Sequence, residues 1–167
     1  MRPVTLLLAF AATACGYTTG SGLREQGIHT VAFQVVGNDS YRQRFEVEIN
    51  RFLARELPVT TDLMLADRGS ADAVLQVVLT DARERTLVRG IPDRTNPDIS
   101  FPRVREGALE GAVWLRLIDR DGRVRIERRL LDRTEFRATL GENLTSARAE
   151  MAEDLARKIC LALEDEF

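Results

Sequence analysis

Residues 71–138 constrain the fold more than any other part of this 167-residue chain. The run "ADAVLQVVLTDARERTL", 71–87, reads as one long strand that turns polar and basic towards its end. Residues 104–118 resume the strand pattern around "AVWLRLI". Asp121-Gly122 then marks a hairpin, because a tight turn between twisted strands needs residues that tolerate positive φ. "RVRIERRLLDRTEFRA", 123–138, returns as the partner strand, with Val124, Ile126, Arg128 and Leu130 on one face.

Two amphipathic helices flank these strands. From 41 to 57 the apolar positions Phe45, Ile49, Phe52, Leu53 and Leu57 draw a single helical stripe. Asp39 or Ser40 is placed to cap that helix and Pro58 to stop it. From 143 to 163 the stripe is Leu144, Met151, Leu155, Ile159 and Leu163. A β-branched run, "IHTVAFQVV" at 28–36, precedes the first helix, and 62–67 forms a short strand or an extended connection. The order predicts an α+β domain over 28–167, with two helices packed on one face of a mixed, about four-stranded sheet. A chain of this length buries roughly two-thirds of its unfolded surface, so one core suffices.

The N-terminus carries a different signal. Arg2 precedes a mostly apolar run from Val4 to Ala14, and Ala12-Thr13-Ala14 leads into Cys15. That is the layout of a secretory signal over 1–14, and it is too short for a bilayer, which needs about 20 apolar residues. A small-small-Cys ending resembles the lipobox of bacterial lipoproteins, in which the cysteine becomes the first mature residue and carries acyl chains. Cys15 is therefore the candidate lipidation site, and 15–27, Gly-, Ser- and Thr-rich, its tether. Several acyl chains anchor firmly, since each buried methylene contributes about 0.8 kcal/mol. Cys160, on an apolar helical position, then has no cysteine partner.

Little in the chain points to catalysis. His29 is the one histidine, and no Gly-x-Ser-x-Gly elbow, phosphate-binding Gly-rich loop or metal-ligand cluster accompanies it. The sequence therefore predicts no catalytic residues, no metal and no cofactor. A net charge of −2 gives no electrostatic argument for nucleic acid. Charge is nonetheless divided: residues 83–137 hold fourteen Arg against ten Asp or Glu, and 142–167 hold seven acids against three bases. Either these arginines pair with acidic neighbours on an exposed strand face, or they present guanidiniums to an anionic lipid headgroup. Arg89, Arg103 and Arg105 flank a proline-rich loop, 89–103, and are the leading candidates for contacting such a headgroup, followed by Arg83 and Arg85. A loop of that length docks on a partner or stays disordered.

Three stretches together, "CGY" at the lipidation site, "VAFQVVGNDSYRQRFEVEINRFLAREL" and "ADAVLQVVLTD", resemble the lipopolysaccharide-assembly lipoprotein family LptE. Asn38, Glu46 or Glu48, and Asp72 beside Ala71 or Ala73 hold the places of that family's pattern. The resemblance implies two helices on a four-stranded sheet and an anchored plug inside the outer-membrane barrel LptD. It also implies lipopolysaccharide as ligand, on its way to the outer leaflet. Lipoprotein activators of peptidoglycan synthesis and curli-type secretion-pore subunits share the strand–helix opening and stand as alternatives.

Overall fold

In a computed structural model of the chain, residues 22–33, 36–89 and 104–164 are described. The signal segment, Cys15, Arg103 and the loop between positions 89 and 104 lie outside them. Three long strands, β4 (Ala73–Arg89), β5 (Val104–Asp119) and β6 (Val124–Arg137), form an antiparallel ribbon. Beside β4 lie β1 (Thr30–Phe33) and β2 (Gly37–Asn38), both parallel to it, and β3 (Met64–Leu65) runs parallel to β1. The sheet is therefore mixed, in the order β3-β1-β4-β5-β6, with β2 continuing along β4.

The α+β reading and the mixed sheet agree with this architecture; the counts do not. Among the described residues there are six strands rather than about four, and a short helix, α1 (Gly22–Glu25), joins α2 (Phe45–Thr60) and α3 (Leu144–Glu164). The additional strands β2 and β3 are two residues long, too short to show any alternation. Through α1, Leu23 is fully buried, so the core takes in part of the segment that reads as a tether.

Both long helices cover the same face of the ribbon. Leu75, Val77 and Leu79 of β4 pair with Leu117, Leu115 and Val113 of β5, and all six are buried in one cluster with the two helices. On α2 the predicted stripe is the buried face. On α3 small residues, Ala147, Ala152, Ala156 and Ala162, are buried beside the predicted Met151, Leu155, Ile159 and Leu163. Their size lets α3 sit close to α2 and the sheet at once. The acids of these helices are more than solvated: Glu48 pairs with Arg148, and Glu153 with Arg55 at 3.4 Å, bridging the two helices.

The start of α2 departs from the predicted cap. Neither Asp39 nor Ser40 caps it; Arg44 precedes the helix at φ 67°, without a side-chain cap. Asn38 organises the approach instead. Its Oδ1 accepts from the Ser40 amide and hydroxyl at 2.8 and 2.7 Å. Its Nδ2 donates to the Arg42 carbonyl at 2.8 Å and to Glu46 Oε2 at 2.6 Å. An Asx-type turn has replaced the cap. Pro58 lies inside the last turn, and the helix runs on to Thr60. The chain leaves through Thr61, whose hydroxyl donates to Leu57 O at 2.7 Å.

Asp72 ties β1 to β4 and to the β5–β6 turn. Its Oδ2 accepts from the amides of His29 and Thr30 at 3.1 and 2.9 Å and from the Thr30 hydroxyl at 2.7 Å. Arg120 approaches Oδ1 at 3.3 Å. The Thr30 hydroxyl bond, then the His29 amide, hold this carboxyl below the usual aspartate range. Stability from such a depressed carboxylate is present above its unfolded pKa and lost as pH falls through the folded one. Asp72→Asn should therefore lower the urea midpoint at neutral pH and flatten its decline as pH falls below about 4, the ordinary aspartate range. Parallel pH profiles for the two proteins would refute this. At Gly107, a Cβ would stand 2.8 and 2.9 Å from two ring carbons of Phe136, its partner across β5 and β6. Gly107→Ala should cost about 1–3 kcal/mol in equilibrium unfolding, because a buried ring cannot yield cheaply.

Candidate functional site

The face of the ribbon turned away from the helices is decided by one irregularity. Leu79 pairs with Val113, but the next pair is Asp81 with Ala112, so Thr80 is an extra residue in β4. Its hydroxyl donates to Ala112 O at 3.1 Å. Side chains alternate along a strand, so one inserted residue reverses which parity points where. Before the bulge the even positions Val74, Gln76 and Val78 face away from the helices; beyond it the odd positions Asp81, Arg83 and Arg85 do.

Register then sets the neighbours. Successive rows across β4, β5 and β6 read Val78–Trp114–Arg129, Asp81–Ala112–Leu131, Arg83–Glu110–Arg133 and Arg85–Ala108–Glu135. Next to the first of these rows Arg116 opposes Glu127, and its guanidinium lies 5.5 Å from the Trp114 ring centroid. The surface is a lattice of arginine and acid around one tryptophan. Arg83 meets Asp81 at 2.9 Å, Arg85 meets Glu110 at 3.5 Å, and Arg133 meets Glu135 at 2.7 Å. Such exposed pairs contribute at most about 1 kcal/mol each, so a ligand anion can displace them.

The candidate arginines therefore separate. Arg83 and Arg85 share this face, and their side chains are 77% and 64% exposed despite their pairs. Arg89 lies at the end of β4 opposite Val104 and is exposed. Arg105 is also exposed; it is an extra residue of β5, set between the pairs Val88–Glu106 and Arg89–Val104, outside the rows that hold Arg83 and Arg85. Arg103 is outside the described residues. Sequence reasoning missed Arg129 and Trp114, because their adjacency exists only through the register of β5 with β6.

Two open grooves cross this face. One, about 400 Å³, is lined by Tyr41, Thr80, Asp81, Arg83, Trp114 and Arg129, with Asp39 and Ser40 at its margin. The other, about 530 Å³, shares Asp81 and Arg129 and continues past Leu131 and Arg133 to Lys158 of α3. Lys158 Nζ donates to the Leu131 carbonyl at 3.0 Å and reaches Asp132 at 2.7 Å, which blunts the outer edge of β6 at that point.

Elsewhere the chemistry is structural. His29 contributes its backbone amide to the Asp72 knot. Cys160 is buried, and burial pushes its thiol up to about 12, so it holds no thiolate at neutral pH. Among the described residues no group of three or more His, Cys, Asp or Glu could hold a metal ion. Nor, among them, is any helix long and apolar enough to cross a membrane.

Comparison with known proteins connects this fold to a process. A family model described as LptE: Lipopolysaccharide-assembly matches residues 28–163, most of the chain. No curated protein matches the sequence. Among solved structures, a PelC dodecamer from Paraburkholderia phytofirmans is similar at a TM-score of 0.54 and 18% identity, over 81% of this chain and 88% of its own. The hypothetical protein CT253 from Chlamydia trachomatis gives 0.53 and 13% identity, over 82% and 96%. At these identities the structural likenesses speak for the shared fold alone. The family model covers strand, helix, ribbon and final helix together, and so the chain belongs to the LptE lipopolysaccharide-assembly family of outer-membrane lipoproteins.

Proposed function

We propose that this chain is the lipid-anchored plug of the outer-membrane barrel LptD and binds lipopolysaccharide during its assembly into the outer leaflet. The match of the LptE family model to residues 28–163 carries the reading. In it, residues 1–14 are a signal peptide, Cys15 bears the acyl chains, 15–27 form the tether, and 28–167 the domain that sits on the periplasmic side or in the barrel lumen. The helix-free face supports the reading physically. A wall of polar β-barrel interior and an anionic glycolipid both suit a surface of exposed guanidiniums held by weak, exchangeable pairs. Arg83 and Arg85 supply them on that face, and Arg89, Arg103 and Arg105, which flank the loop in sequence, extend the set.

Purification of the membrane-anchored protein tests the partner: a stoichiometric barrel should accompany it. A ring of identical copies, as in the PelC dodecamer, or a periplasmic synthase would overturn the plug in favour of a secretion-pore subunit or a synthase activator. For the ligand, joint replacement of Arg89, Arg103 and Arg105 by Glu should weaken lipopolysaccharide binding by about tenfold or more, since each charge-assisted contact contributes about 1.5–3 kcal/mol. Unchanged binding in a sedimentation assay would remove these three from the site.

A further inference from the structure

Among the described residues, six arginines in regular strand register occupy the helix-free face, at positions 83, 85, 116, 129, 133 and 137. Five have a carboxylate within 4.0 Å: Asp81, Glu110, Glu127, Glu135 and Glu106. Arg129 has no ion pair or hydrogen bond among the described residues, although it is exposed and lines both grooves. Its cross-strand partner is Trp114. Tyr41, carried on the Asn38 turn, stands fully exposed in the same groove. An uncommitted guanidinium, an indole and an exposed phenol thus converge on one notch.

The composition of that notch discriminates between ligands. A bare polyanion would be opposed by the Asp39 and Asp81 carboxylates on its rim. An apolar chain would leave Arg129 and both acids facing carbon. A phosphorylated sugar satisfies every group: its C–H face lies on the aromatic rings, its hydroxyls donate to the carboxylates, and its phosphate takes the bidentate donors of Arg129. We infer that Trp114, Tyr41, Arg129 and Arg83 form a subsite for a phosphorylated hexosamine. Arg83 exchanges Asp81 for the ligand on binding. The subsite deepens the proposed function and rests on it, because lipopolysaccharide presents such a headgroup, and it assigns that headgroup a place distinct from the loop arginines 89, 103 and 105.

Trp114 is the only tryptophan of the chain and reports directly on the notch. The intact lipoprotein should show a saturable change in tryptophan emission with a bis-phosphorylated glucosamine disaccharide. The same disaccharide without phosphates, and inorganic phosphate alone, should give none at equal concentration. Arg129→Gln should raise the apparent Kd about tenfold, Tyr41→Ala by a few-fold, and Arg68→Gln, at an exposed position elsewhere, should leave it unchanged. An equal response to inorganic phosphate alone would reduce the notch to a simple anion contact and overturn the inference. Lipopolysaccharide that sediments with the protein while emission stays flat and Arg129→Gln binds as wild type would overturn the subsite alone. Absence of any lipopolysaccharide binding would overturn the ligand reading along with it.

Discussion

The extra residue at Thr80 does two things at once, because a pleated strand commits every later side chain to a face. Upstream of it, β4 delivers Leu75, Val77 and Leu79 to the helices. Downstream it turns Asp81, Arg83 and Arg85 outward while Ala82 goes inward and is buried. Without the insertion the outward positions would be Ala82 and Glu84, and arginine would point towards the helices. Burying a guanidinium there would need a paired carboxylate in a site now filled by aliphatic groups. The bulge therefore separates a dry layer from a charged one along a single strand.

The two layers are held by different physics. On the helix side, long aliphatic residues from the ribbon meet α3, whose alanines allow close approach, and glycines 107 and 111 leave room for Phe136 and Met151. That side is close-packed and resists change, as protein interiors do. On the other side, arginine and acid are matched across strands at the surface, where each pair is weak and screened. A surface so built keeps the strands soluble yet gives up its pairs readily to a ligand. A rigid layer and an exchangeable one thus share the same three strands.

Pairing between distant segments explains the rest of the architecture. Asp72 collects the start of β1 and the β5–β6 turn at one carboxylate, so three segments far apart in sequence end at the same edge of the molecule. Asn38 performs the same service for the entrance to α2, bridging its own turn to Glu46 on the first turn of the helix. Both residues belong to the pattern through which the chain resembles its family, and in both the geometry gives that pattern a structural meaning.

Local periodicity was enough to place the long elements: the alternation of 71–87, the Asp-Gly hairpin signal and the stripes of α2 and α3 each reflect forces between residues a few positions apart. It also separated an arginine-rich half from an acidic helix. It did not foresee α1 or β2, which are too short to carry a period, nor the Asx turn that displaced the predicted cap, and it left 62–67, where β3 lies, open between a short strand and an extended connection. Val124, assigned by alternation to the face of Ile126, is exposed and pairs with Ile118 across a register shift. Tertiary structure alone decided that Trp114 stands beside Arg129, that Arg105 falls at a register shift outside the rows of Arg83 and Arg85, and that Arg129, of the six arginines placed on the helix-free face, has no ion pair among the described residues. Those facts depend on the register of strands joined by hydrogen bonds between remote residues, and a one-residue slip, invisible to any local pattern, would reverse them.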